Sequence, residues 1–152
     1  MKNPGNIKLL KEDIINNGLK RDSVLSQWKC YNSQWEVSAK TKKPCHSIDL
    51  NINETGDLEA NGGRILNRKI QGIIITYIDP LKTKNLTELL DELIERTDIV
   101  LEDSSQTGQF QHIFGYKYGR GYTKPFTITT NEGPKLVAHR VITEFEIQYE
   151  VR

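Results

Sequence analysis

Cysteine is scarce: Cys30 and Cys45 are the only two in 152 residues. That is too few for a disulfide framework, so stability has to come from a buried core, for which one domain of this length suffices. Neither cysteine stands in a CxxC spacing, and His46, His112 and His139 form no HxxxH pair, so no metal or other cofactor is expected. Long apolar runs are missing too. The longest candidate, Ile73-Ile74-Ile75, sits inside a strand-like segment and falls far short of the roughly 20 residues that span a bilayer. Met1-Lys2-Asn3-Pro4-Gly5 leads into a mixed polar stretch rather than a signal-peptide core, so the expectation is synthesis in the cytoplasm with reduced thiols and no membrane partner. An excess of one charge is also absent: 21 Lys and Arg against 20 Asp and Glu leave a net charge of +1. Proteins that hold nucleic acid by neutralising phosphates are usually far more basic.

Catalytic spacings are equally thin. No GxSxG elbow occurs, and the histidines have no recognisable partner along the sequence. Gly115, Gly119 and Gly121 match neither GxGxxG nor GxxxxGKS/T, and no helix follows them. Most acidic residues fall on the outward faces of predicted elements, where periodicity already accounts for them. The chain reads as a non-enzymatic protein, although a triad assembled from distant positions would leave no mark in sequence.

What is present is periodicity. Leu9, Leu10, Ile14 and Ile15 predict a short helix from about Asn6 to Leu19, with Gly18 as its terminator. The pattern weakens from Arg21 to Pro44, and Ala39 to Lys43 reads as a basic loop. Ser47–Asn53 alternates, with Ile48, Leu50 and Ile52 on one face and Asp49, Asn51 and Asn53 on the other, which predicts a half-buried strand. A turn-rich connection, Glu54 to Gly63, leads to a second strand over Arg64–Asp79. Asn85 as cap and Glu88 three residues later open a helix whose stripe is Leu86, Leu89, Leu90, Leu93 and Ile94. Phe110–Phe114 and Phe126–Thr130 read as short strands, and the region of about 104–125 between the helix and the second of them as a Gly/Tyr loop, mobile from Gly115 to Lys124. The last segment is the clearest strand: Val141, Thr143, Phe145, Ile147, Tyr149 and Val151 alternate with Glu144, Glu146, Gln148 and Glu150. The sum is a single α+β domain, residues 1–152, with a mainly antiparallel sheet, helices packed on one face and an extended hairpin arm over about 54–69.

Two stretches look like contact surfaces. The arm is too long and too hydrophilic to bury itself in a monomer's core, which makes Thr55, Gly56, Asp57, Leu58, Glu59, Arg64 and Arg68 candidate contacts to a neighbour. Tyr116, Lys117, Tyr118, Arg120, Tyr122 and Lys124 combine aromatic area with cationic groups, a composition suited to packing against a protein. Arg120 to Phe126 also faintly echoes the basic-Gly-aromatic strand of RNA-recognition modules. Thr123 stands where that pattern needs Gly or Ala, and Pro125 removes a ladder donor.

Three segments carry a resemblance to the tail terminator (tail completion) proteins of long-tailed phages. Pro44 to Glu54 resembles that family's first strand, entered through a loop and a proline. Thr55-Gly56-Asp57-Leu58-Glu59-Ala60-Asn61-Gly62-Gly63 followed by Arg64–Asp79 resembles its long hairpin with a Tyr-x-Asp ending. Thr130-Asn131-Glu132-Gly133-Pro134-Lys135-Leu136-Val137-Ala138 followed by Val141–Arg152 is similar to its acidic-Gly turn and last strand. The resemblance implies a structural virion protein at the tail–neck junction, made in the host cytoplasm, with no cofactor and no turnover. Its partners would be copies of itself in a six-fold ring, the tail tube protein, and a head-completion or neck protein, with DNA passing through the lumen without sequence-specific binding. The arm would then meet a neighbouring subunit or the tube, and the Tyr-rich segment a partner ring. A different neck or head–tail connector ring is the nearest alternative, and a single-stranded nucleic-acid-binding module a more distant one.

Overall fold

The computed structural model describes residues 7–60, 63–107, 115–118 and 121–151. The chain enters through helix α1 (Ile7–Asn17), which buries Leu10 and Ile14 completely, as the predicted spacing requires. Strand β1 (Lys29–Tyr31) follows, then β2 (Cys45–Ala60), β3 (Gly63–Ile78), helix α2 (Leu86–Thr107), β4 (Gly115–Tyr118), β5 (Tyr122–Thr130) and β6 (Gly133–Val151). The strands form one six-stranded sheet in the order β1-β2-β3-β6-β4, with β5 also on the outer edge of β6. Every pairing is antiparallel except β1 with β2. The α+β class is thus the observed one.

Both helices pack on one face. Ile48 and Leu50 of β2, Ile70 and Ile74 of β3, and Phe145 and Ile147 of β6 meet Leu10, Ile14 and Leu101 in one apolar cluster. A second cluster joins Leu90, Leu93, Ile94 and Val100 of α2 to Ile78 and Val141. The α2 stripe continues past the predicted Ile94 through Thr97, Val100 and Leu101, all at most 2% exposed, which is why the helix runs on. Gly72 lies in the middle of the helix-covered face, paired with Leu50 on one side and Phe145 on the other. A Cβ there would overlap the Phe145 ring and stand 2.7 Å from Leu50 Cδ2. The missing side chain lets the Phe145 ring lie across β3, an aromatic filling the gap above a strand glycine.

Several expectations need correction. Gly18 follows α1 but has φ −126°, outside the left-handed region of a helix-ending glycine. A Cβ there would meet Ile14 O at 2.5 Å and Val100 Cγ1 at 2.9 Å, so the position is small because α2 crosses there. Asn85 precedes α2 with φ 53° rather than the extended backbone of a capping box, and its carbonyl accepts from Leu89 N–H at 3.1 Å. Ala39 to Lys43 is the loop expected, but the weakly patterned stretch before it is not without elements: it carries β1 and the single-turn 3₁₀ helices Leu25–Gln27 and Gln34–Glu36, with a third, Leu19–Arg21, at its start. Glu54 to Ala60, read as turn-rich, is strand. The 104–125 loop is also revised: α2 reaches Thr107, Gly115–Tyr118 is β4, and Tyr122 opens β5. The expected strand at 110–114 lies outside the described residues. Pro125 fits because β5 is an edge strand, where a missing donor faces away from the ladder.

The face without helices is not uniformly polar. Beneath the 31–44 segment it carries an apolar cluster of its own, in which Val37, Cys45, Ile75, Tyr77, Ala138 and Ile142 pack together with Phe126 at the margin.

Candidate functional site

The arm is a direct consequence of register. β2 and β3 pair from Cys45 opposite Tyr77 out to Ala60 opposite Gly63, with a bulge between Ile52 and Glu54. Strands of 16 residues extend roughly 50 Å at about 3.3 Å per residue. A compact 152-residue domain is only about 40 Å across, from a radius of gyration of roughly 15 Å. The hairpin therefore reaches past the body, bent and twisted at the bulge.

Its candidate contacts come in cross-strand pairs: Thr55 opposite Arg68, Gly56 opposite Asn67, Asp57 opposite Leu66, Leu58 opposite Ile65 and Glu59 opposite Arg64. β6 accompanies β3 only as far as Leu66, opposite Val151. On its other side β2 is covered by β1 only at Cys45, His46 and Ser47. Among the described residues, the outer edge of β2 from Asp49 to Ala60 has no strand against it, and such an edge is a template for pairing with another chain.

The Tyr-rich candidates are gathered on the opposite edge of the sheet. Gly115, Tyr116, Lys117 and Tyr118 pair with Gln148, Ile147, Glu146 and Phe145, and Tyr122 and Lys124 pair with Ile142 and Arg140. Arg120 lies outside the described residues. Lys69 at the base of the arm and Gly115 at the start of β4 pair with the same residue, Gln148. Gly115 to Tyr118 thus flank β6 near the end of the sheet from which the arm projects, whereas Tyr122 and Lys124 pair toward its other end, level with Ile75 and Tyr77.

Tyr122 is 44% exposed, and its hydroxyl donates to Glu144 Oε1 at 3.3 Å. Partial burial and the neighbouring Glu144 carboxylate push the phenol above its ordinary value, which keeps the donor protonated. Phe126 stacks edge-on against Tyr77 and lies under the Arg140 guanidinium, so it is no open platform for a base.

Sequence reasoning did not bring together the uncovered part of the helix-free face. Register places Asp49, Ile73 and Glu144 side by side in one row, with Asn51, Gln71 and Glu146 in the next row on that face. These residues line a shallow groove of about 370 Å³. Trp35, 90% exposed, stands beside it, because the N–H of the preceding Gln34 donates to Asp49 Oδ2 at 3.0 Å. The alternation of Ser47–Asn53 and Val141–Val151 put these carboxylates outward, but only strand register makes them neighbours.

The buried titratable groups are structural. His46 is fully buried under Trp28, between Thr76 and Leu25. Its Nε2 is 2.9 Å from the Leu25 carbonyl, which can only accept, so Nε2 carries the proton and Nδ1 accepts from Thr76 Oγ1. Burial pulls the imidazole below its ordinary value, against the opposing effects of the Leu25 carbonyl and Asp22. Since the unfolded chain protonates first, stability should be full above about pH 6.5 and decline as pH falls below it. Thermal melts between pH 8 and 5 should show this loss and a flatter profile for H46Q; identical profiles would exclude His46 as its source.

Cys30 and Cys45 are free thiols pushed up to about 12 and about 11 by burial, which leaves them inert as nucleophiles at neutral pH. Burial raises Asp22, but N–H bonds from Leu25 and Val24 and the Arg96 contact outweigh it and hold the carboxyl below its usual range. Asp22 thereby ties the turn at 22–25 to α2. Among the described residues no group of three His, Cys, Asp or Glu side chains is placed to hold a metal ion, and no helix is long and apolar enough to cross a membrane. No protein-family model matches the chain, and no curated protein matches it.

Proposed function

We propose that the chain is a ring-forming structural subunit of a phage tail, of the tail terminator type, and not an enzyme. The observation that carries this reading is the β2–β3 arm: a hairpin longer than the domain is wide and, among the described residues, open along the outer edge of β2. Such an element gains its missing partner surface by crossing to a neighbour. The arm and the Tyr-bearing strands β4 and β5 are different surfaces, so a contact from one to the other is head-to-tail, and repetition closes into a ring when the rotation between subunits closes. In this reading the ring caps the tail tube, stops its growth and presents a surface to a head-completion or neck protein. A nucleic-acid module is less well supported, since the open sheet face carries Asp49, Glu144 and Glu146 where phosphates would need cations.

Negative-stain electron microscopy of the purified protein, alone and mixed with tail tubes, tests the proposal. Closed rings of about six subunits, the number the resemblance implies, or caps confined to tube ends, are the expected result. A monomer that ignores tubes would overturn it.

A further inference from the structure

The open-face groove has a chemically matched feature on the same chain. After β3 the backbone makes a tight turn in which Asp79 Oδ1 accepts from Leu81 N–H at 3.0 Å and the Asp79 carbonyl accepts from Thr83 Oγ1 at 2.7 Å. This ordered turn holds Leu81 91% exposed, with Lys82 and Lys84 exposed beside it. A lone exposed leucine is ordinary on a protein surface. One presented on a hydrogen-bonded turn and followed by two exposed cations, Lys82 and Lys84, has a definite complement: an apolar floor beside carboxylates.

The groove supplies that complement. Ile73 is half-buried, with Asp49 on one neighbouring strand and Glu144 on the other. At a strand spacing of about 4.8 Å the two carboxylate positions stand roughly 10 Å apart across the isoleucine, within the span of two lysine side chains. The groove, about 370 Å³, is large enough for a leucine side chain, and among the described residues no Lys or Arg lines it. The turn cannot reach its own groove: Ile73 to Ile78 is continuous strand, about 17 Å of extended chain, and the Asp79 hydrogen bonds hold the turn at the far end of it.

We infer that the groove lined by Asp49, Ile73 and Glu144 receives the Leu81–Lys84 turn of a second copy of this chain, as one of the subunit contacts of the ring. This rests on the ring reading and names a contact within it. The two surfaces are distinct, so the contact is heterologous, as a ring requires. Leu81 covers Ile73, while Lys82 and Lys84 pair with the flanking carboxylates and set the register.

Charge reversal on each side, read by light scattering on a sizing column, tests the contact. K82E/K84E and D49K/E144K should each weaken assembly by at least about 100-fold, because like charges then face each other across the interface. The quadruple variant should recover assembly, and circular dichroism should show every variant folded. Rings that persist in K82E/K84E at wild-type concentrations would overturn this contact and leave the ring reading standing. Loss with either pair and no recovery in the quadruple variant would also overturn it, assigning the groove to a different partner. A wild-type protein that remains monomeric with and without tail tubes would overturn the contact and the ring reading together.

Discussion

A chain in which residues 56–67 are replaced by Asn-Gly should remain a folded monomer and lose ring assembly and tube capping altogether. The replacement joins Thr55 directly to Arg68, which are already paired, through a two-residue connection that favours the primed turns of tight hairpins. The body keeps all of its clusters, since their β2 and β3 members lie from Cys45 to Leu50 and from Ile70 to Ile78. On β6 only the pairings of Glu150 and Val151 with the removed residues disappear. The melting temperature should therefore fall by no more than a few degrees, roughly what about 1 kcal/mol does in a domain of this size. Sizing with light scattering and a tube-capping assay by electron microscopy read the two effects separately. Wild-type rings from the shortened chain would show that subunits do not hold one another through the arm.

The largest effect on stability is expected at Gly72. In Gly72→Ala the new methyl collides with the Phe145 ring and Leu50, both central to the core beneath α1. Overpacking of this kind costs about 1–3 kcal/mol, or roughly 2–12 °C of melting temperature. Gly72→Val should exceed that and leave little soluble protein. Shortening the aromatic tests the mechanism: in G72A/F145L the ring that the methyl strikes is gone, so the double variant should be more stable than the sum of the two single losses predicts, with a coupling of about 1 kcal/mol or more. Strict additivity in denaturant unfolding would mean that Gly72 is required for some reason other than the ring lying over it.

Long periodic elements were legible in the residues. The alternation of Ile48 and Leu50, and of Val141, Thr143, Phe145 and Ile147, named the faces that the helices cover, and the stripe from Leu86 to Ile94 located α2. Short elements were not. β1 is three residues long, below the length at which any period can be counted, and its place depends on β2 running beside it. The turn at 22–25 is held by Asp22 and by Arg96, 74 residues away, a contact invisible to local pattern. Residues 115–118 read as loop from their Gly and Tyr content, but the free edge of β6 recruits them as strand. The arm's composition announced a connection with turn residues throughout, yet pairing with β3 holds Glu54 to Ala60 extended.

For the candidate site the division is similar. Which residues are unsuited to a core could be read directly: the polar arm, the tyrosines and lysines near Gly115–Lys124, and the outward carboxylates of two strands. Where they meet could not. Register alone sets Asp49 and Glu144 on either side of Ile73, brings Lys69 and Gly115 to the same residue of β6, and, among the described residues, leaves the outer edge of β2 uncovered beyond Ser47. The sequence by itself determined the fold class and the buried faces, because hydrophobic burial depends on spacing along the chain. Only the tertiary structure decided the surfaces offered to other molecules, because a surface is made of residues far apart in sequence whose juxtaposition depends on strand order and register.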